Sequence, residues 1–179
     1  MSHDRVFNVL FLCTGNSARS IIAEALLNPL GGGKFRAFSA GSQPAGAIHP
    51  LALEQIERLR FPADGLRSKG WDEFSTADAP DMDFVITVCD QAAGEGCPRW
   101  PGHPVTAHWS FVDPTRAQDD ETAVRQAFAT VAREIKTRLE MFTNLPLEKL
   151  SRMALQAELI TIGASRNENG AVTPHESND

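Results

Sequence analysis

Tyrosine is absent from this chain of 179 residues, and aromatic residues make up only 7% of it. A binding rim of phenol rings is thereby excluded, and any ring stacking at a rim would fall to Trp71, Trp100 or Trp109. No charge-free apolar stretch approaches the ~18 residues of a membrane span. Residues 1–5, Met-Ser-His-Asp-Arg, lead straight into an apolar run without a basic leader or a small-residue cleavage site, so the expected location is the cytoplasm, with no membrane partner. Basic charge is in deficit too. Lys and Arg number 17 against 23 Asp and Glu, a net charge of −6, so no overall field draws the chain to nucleic acid, and any anion site must be a local device. Three cysteines, an odd number, argue against a structural disulfide framework and for reactive thiols, metal ligands or plain core residues.

What is present is a single core's worth of apolar residues, 42% of the chain. Val6 to Cys13 is nearly continuous in Val, Phe and Leu, as in a strand buried on both faces of a parallel sheet. After a polar loop, Ser20 to Leu27 has helical spacing, and Asn28-Pro29 with Gly31 to Gly33 is expected to stop it. Phe35 to Ala40 reads as a strand, Pro50 to Arg60 as a helix, Phe84 to Cys89 and Val105 to Trp109 as strands. Thr122 to Phe142 is a long helix with Val124, Phe128, Val131, Ile135 and Leu139 on one stripe. Alternating strands and helices predict an α/β fold: an open four-stranded parallel sheet with helices on both faces. Leu147 to Ile162 reads as a final helix stopped by Gly163. The expected organisation is one domain over residues 1–145, a C-terminal helix over 146–163, and a flexible tail over 164–179, where almost nothing is available to bury.

Ligands of such sheets sit at the carboxyl ends of the strands. The first strand ends on Cys13-Thr14-Gly15-Asn16-Ser17-Ala18-Arg19-Ser20 just before a helix, the layout of a phosphate cradle. Backbone N–H groups of the curled loop point at one spot, Gly15 is expected to permit the curl, and the helix dipole adds positive potential. Arg19 can donate two hydrogen bonds to a tetrahedral oxyanion. The same field favours a Cys13 thiolate, with the Ser20 hydroxyl as a further donor, so Cys13 is expected to have a depressed pKa and to act as nucleophile. The other reading of Cys13 is a buried core thiol. The Gly-Lys-Ser/Thr ending of a nucleotide-binding P-loop is missing, so ATP is not the expected ligand and no cofactor is predicted.

The segment from Val9 to Ser20, then Phe38-Ser-Ala-Gly41, His49-Pro50, and His108-Trp-Ser-Phe-Val-Asp-Pro114, resembles the low-molecular-weight phosphotyrosine phosphatase superfamily and, within it, the thioredoxin-coupled arsenate reductases. The likeness runs in order over about residues 6 to 142 and leaves out the last helix and the tail. Asp113 precedes Pro114 in a loop, which on its own suits a turn residue as well as an acid. The resemblance makes it the general acid over the oxyanion loop. Cys89, at the end of the third strand, emerges on the same sheet edge as Cys13, and Cys97 follows after a glycine-containing loop. In the mechanism the resemblance implies, Cys13 attacks arsenate, held by Arg19 and the amides of Thr14 to Ser20, while Asp113 protonates the departing oxygen. Cys89 then attacks Cys13, releasing arsenite, and Cys97 moves the disulfide to Cys89–Cys97, where thioredoxin or glutaredoxin reduces it.

Other readings compete. Cys89, Cys97, His103 and His108 could hold zinc, although seven residues between the cysteines miss the usual spacing, and no metal is predicted. Cys89 and Cys97 could be ordinary thiols in a plain phosphatase, or the cysteine triplet could serve a redox-sensing or anion-binding module. The chain also departs from the phosphatase pattern. Ala18 stands where a second loop cysteine is usual, and Thr115-Arg116 follows the Asp-Pro where tyrosines are usual; both departures favour a small inorganic oxyanion. Some related reductases bind potassium through positions matching Asn16, Glu24 and Ser39 and an acidic residue near Ser68. Lys69 stands in that neighbourhood, so its ammonium is expected to replace the cation. The alternative for Glu24 is a solvated helix-face carboxylate.

Overall fold

The computed structural model describes residues 5–89, 100–116 and 120–164. Cys97, the loop from Asp90 to Gly96 and nearly all of the expected tail lie outside the described residues. Four strands, β1 (Phe7–Cys13), β2 (Phe35–Gly41), β3 (Phe84–Thr87) and β4 (Val105–His108), form one parallel sheet in the order β2-β1-β3-β4. The first strand is thus central, and the order reverses beside it, which places the crevice for a ligand at the carboxyl end of β1.

The period-2 alternation of β1 divides the core. Val9, Phe11 and Cys13 face the larger apolar cluster, built with helices α1 (Arg19–Leu30), α2 (Pro50–Arg58), α3 (Glu121–Thr143) and α4 (Arg152–Gly163). Leu10 and Leu12 face a smaller cluster with Ala40, Met82, Val85 and Phe74, the last from a single-turn 3-10 helix at Trp71–Phe74. The expected four-stranded parallel sheet is the one observed; among the described residues its four α-helices pack on the larger cluster, and the other face is covered by the 3-10 turn.

Several element boundaries differ from those expected, most by one or two residues, such as β4 ending at His108 and α2 at Arg58, and three bear on the fold. Helix α1 continues through Pro29 to Leu30, because a proline in the final turn forfeits one hydrogen bond while its fixed φ is already helical. Asn28 supports that turn, donating to the Glu24 carbonyl and accepting from the Ala37 amide of β2. β3 stops at Thr87, although the Val88 amide still reaches the Leu12 carbonyl, so Cys89 stands just past the strand end. The stretch expected as one helix from Leu147 is two: a 3-10 turn at Leu147–Lys149, then α4, which restarts where the Ser151 hydroxyl accepts from the Ala154 amide. No helix among the described residues is long and apolar enough to cross a membrane.

Candidate active site

Between the end of β1 and the start of α1, residues 14–18 curl into a loop, three of whose carbonyls are turned outward and bonded. The Thr14 carbonyl accepts from the Gln43 amide, that of Gly15 from Ala45, and that of Ser17 from His49, each at 2.9 Å. Ser68 Oγ adds a fourth tie, donating to the Gly15 carbonyl at 3.3 Å. Because a trans peptide sets its N–H opposite its C=O, carbonyls fastened to the outer wall leave the amides aimed at the loop's interior. Gly15, expected to make the curl, has an ordinary φ. The left-handed residue is Asn16, with φ of 45°, a conformation asparagine tolerates. Its buried side chain holds it there: Nδ2 donates to Ser20 Oγ and Ser39 Oγ at 2.9 and 3.0 Å, and Oδ1 accepts from the Lys69 amide. Gly41 is the second backbone requirement. A Cβ there would fall 2.8 Å from the Cys13 carbonyl oxygen, 3.0 Å from the Asn16 nitrogen, and closer still to the Thr14 carbonyl oxygen.

Cys13 and Cys89 are both buried free thiols, and Cys89 stands near enough to act on the Cys13 sulfur. Thr14 Oγ1 lies 3.7 Å from Cys89 Sγ, in hydrogen-bond contact. The expected depression of Cys13 is not what this arrangement produces. The nearby Cys89 and the burial of Cys13 push its thiol well up, outweighing the Arg19 guanidinium and the Thr14 amide, which pull it down. Reasoning from the loop alone counted the donors and missed the partner thiol. The Ser20 hydroxyl, expected to serve the sulfur, accepts from Asn16.

Arg19 opens α1 and reaches across the cradle mouth. Its Nη1 donates to the Phe111 carbonyl at 2.9 Å, and its Nη2 stands 3.7 Å from Asp113 Oδ2. Asp113 Oδ1 accepts from both the amide and the hydroxyl of Thr115. Partial burial raises the Asp113 carboxyl, but the two Thr115 bonds, Arg19 and Arg116 together outweigh it and hold the group below the usual aspartate value. The structure therefore brings Cys13, Cys89, Arg19 and Asp113 to one crevice.

Behind the loop lies a buried polar cluster. Lys69 Nζ donates to Glu24 Oε1 at 3.2 Å, to Ser39 Oγ at 3.5 Å and to the Arg67 carbonyl at 3.0 Å, while Ser39 Oγ donates to the same Glu24 oxygen. Glu24 is thus no solvated helix-face carboxylate; it is buried against an ammonium. Among the described residues no group of three or more His, Cys, Asp and Glu gathers as a metal site, and His108 Nδ1 pairs with Thr87 Oγ1 at 2.7 Å. Trp109 does not line a rim: it is buried, and its indole donates to the Leu159 carbonyl of α4. Trp71 and Trp100 meet edge to face beside the smaller cluster.

Sequence reasoning gave no role to Gly41, to the Phe111 carbonyl or to Arg138, which is buried on α3 and donates to the Ser110 carbonyl. The signal for Arg138 was available. It is a cation three residues from Ile135 and seven from Val131, on the apolar stripe of its helix.

The family model of low molecular weight phosphotyrosine protein phosphatase matches residues 8–156. The chain is 34% identical over 134 residues to an arsenate reductase of Bacillus subtilis, covering 75% of this chain and 93% of that protein. It is 31% identical over 137 residues to a glutaredoxin arsenate reductase of Synechocystis, covering 74% and 92%. Among solved structures it resembles the thioredoxin-dependent arsenate reductase of Corynebacterium glutamicum, with 28% identity and a TM-score of 0.51, covering 79% of this chain and 65% of that one.

Proposed function

Since the chain belongs to the low molecular weight phosphotyrosine protein phosphatase family, we propose that it turns the family's oxyanion cradle to the reduction of arsenate, as a cytoplasmic enzyme. One observation carries this reading: a second buried free thiol, Cys89, stands beside the cradle cysteine, its sulfur 3.7 Å from the hydroxyl of Thr14, the residue after Cys13. Hydrolysis of a phosphoester needs a single cysteine. A two-electron reduction needs a second thiol placed to form a disulfide with the first.

In the first step, the Cys13 sulfur attacks the arsenic of monohydrogen arsenate. Arg19 and the inward amides of residues 14–20 stabilise the charge, the As–O bond to the leaving oxygen breaks, and that oxygen departs as water. The water takes one proton from arsenate and the other from the thiol, with Asp113 as the carrier at the mouth. In the second step, Cys89 attacks the Cys13 sulfur and its thiol proton passes to an oxygen of the departing arsenic. The S–As bond breaks with its electron pair staying on arsenic, so As(V) becomes arsenite while two thiols become the Cys13–Cys89 disulfide. Cys97, outside the described residues, then takes over Cys89 as its disulfide partner and presents the pair to thioredoxin or glutaredoxin, the reductants named for two similar proteins.

NADPH consumption with purified protein, arsenate, thioredoxin and thioredoxin reductase tests the proposal, with glutathione, glutaredoxin and glutathione reductase as the parallel arm. Arsenate-dependent oxidation over many turnovers is expected, and Cys89→Ser should abolish it while leaving hydrolysis of p-nitrophenyl phosphate largely intact. Brisk hydrolysis without arsenate-dependent NADPH oxidation in either arm would establish a phosphatase instead.

A further inference from the structure

The cradle is fastened by backbone bonds, yet the segment bearing Asp113 is held to the domain by something less expected. Helix α3 packs an apolar stripe, Phe128, Val131, Ile135, Leu139 and Phe142, into the larger core, and Arg138 lies buried on that same helix. A guanidinium in such surroundings is costly, and apolar residues of similar volume in such positions are often at least as stabilising. Burial indeed pulls the Arg138 pKa down against the opposing charge of Glu134. Packing alone does not explain its presence. Its contacts do: Nη1 donates to the Ser110 carbonyl at 2.8 Å, and the guanidinium carbon sits 4.4 Å over the centre of the Phe111 ring. The Phe111 carbonyl is the acceptor for Arg19 Nη1, and Asp113 follows two residues later.

We propose that Arg138 is a positioning residue for the reaction: it clamps residues 110 and 111 so that the Phe111 carbonyl fixes the plane of Arg19 and Asp113 stands at the cradle mouth. With Nη1 occupied by that carbonyl, Arg19 keeps its Nε and Nη2 edge for the oxyanion. Lysine cannot substitute, since one ammonium cannot both lie flat on the ring and hold the carbonyl in the same geometry. The inference rests on the proposed roles of Arg19 and Asp113, though not on arsenate being the substrate.

The test is a double-mutant cycle of Arg138→Lys with Asp113→Asn, with Arg138→Met as a second variant in case the lysine misfolds. Folding is checked by thermal melting, inorganic phosphate affinity by calorimetry, and kcat with arsenate or, if the wild type does not turn arsenate over, with p-nitrophenyl phosphate. In the wild-type background Arg138→Lys should lower kcat by about ten- to a hundredfold, as for a reacting group displaced by near an ångström. Phosphate affinity should fall with it. In the Asp113→Asn background the same change should cost less, because one of the two groups it positions has already gone and only the share carried by Arg19 is left. An equal fold loss in both backgrounds, or a lowered Tm with unchanged kcat and phosphate affinity, overturns the proposal. A wild type inactive on arsenate but active on p-nitrophenyl phosphate would count against the reductase reading and leave the cycle fully readable.

Discussion

The two walls of the crevice are built in opposite ways. The cradle wall, residues 13–20, is contiguous in sequence and is fastened mainly through its own backbone: three carbonyls tied to amides of residues 43–49, and Asn16 tied to Ser20, Ser39 and the Lys69 amide. The acid wall, residues 109–113, is held by side-chain contacts with helices from far along the chain, Arg138 of α3 on Ser110 and Phe111, and the Leu159 carbonyl of α4 on the Trp109 indole. A backbone-fastened wall tolerates side-chain change and fails when a backbone position is altered. A side-chain-fastened wall does the reverse.

Gly41→Ala should therefore have the largest effect on the cradle. The three atoms nearest the added methyl are all backbone, of residues 13, 14 and 16, and none can swing aside as a flexible side chain would, so the loop itself must move. Phosphate affinity measured by calorimetry should fall by about a hundredfold or more, with arsenate turnover lost, while the variant still folds. Retained affinity would mean that the loop yields without losing its amide geometry, and the contrast between the walls would weaken.

The same contrast governs what could be read from sequence. The cradle was legible because strand, curl and helix start lie in twelve consecutive residues, Val9 to Ser20, and the sheet was legible because buried parallel strands are short apolar runs between helices. Even there, the curl was assigned to Gly15 when a pinned Asn16 makes it, since a side chain's partners at 39 and 69 are invisible locally. The depressed Cys13 pKa failed for the same reason: the local donors were counted, but the thiol arriving from the end of β3 reverses the balance. The acid wall gave up only Asp113, and that through its family motif. The helix stripe could flag Arg138 as a buried cation, but its partners Ser110 and Phe111, and the Phe111 carbonyl as partner of Arg19, are long-range contacts that no local pattern reports.

Asp113→Asn should have the next largest effect. It removes the proton carrier and should lower turnover by about 10²- to 10⁴-fold. Phosphate should bind no worse, because a carboxylate 3.7 Å from Arg19 has been neutralised. A pH series separates this from damage to the fold. The Asp113 carboxyl is held below its ordinary value, so its contribution to stability is present above about pH 3.9 and is lost as pH falls through the lower folded-state value. The Tm difference between wild type and variant should accordingly shrink toward zero on acidification, while the turnover difference at neutral pH stays. A Tm gap that persists in acid would assign Asp113 to packing.

The smallest effect on turnover should come from Lys69→Met, behind the cradle wall. The ammonium touches Glu24, Ser39 and the Arg67 carbonyl, while the Lys69 backbone amide holds Asn16, and a methionine keeps that amide. What is lost is the cation. Glu24 is left as a buried carboxylate without its charge partner, a defect that costs about 3–5 kcal/mol of stability. Because the loop is fastened mostly by bonds the substitution spares, turnover should fall only a few-fold, through looser placement of Asn16 by Ser39. The space vacated beside Glu24, Ser39 and a backbone carbonyl offers oxygen ligands, so potassium should raise both the Tm and the turnover of the variant and leave the wild type unchanged. Melting and turnover with and without potassium check this. A wild type stimulated by potassium, or a variant indifferent to it, would show that the lysine does not stand in for a cation.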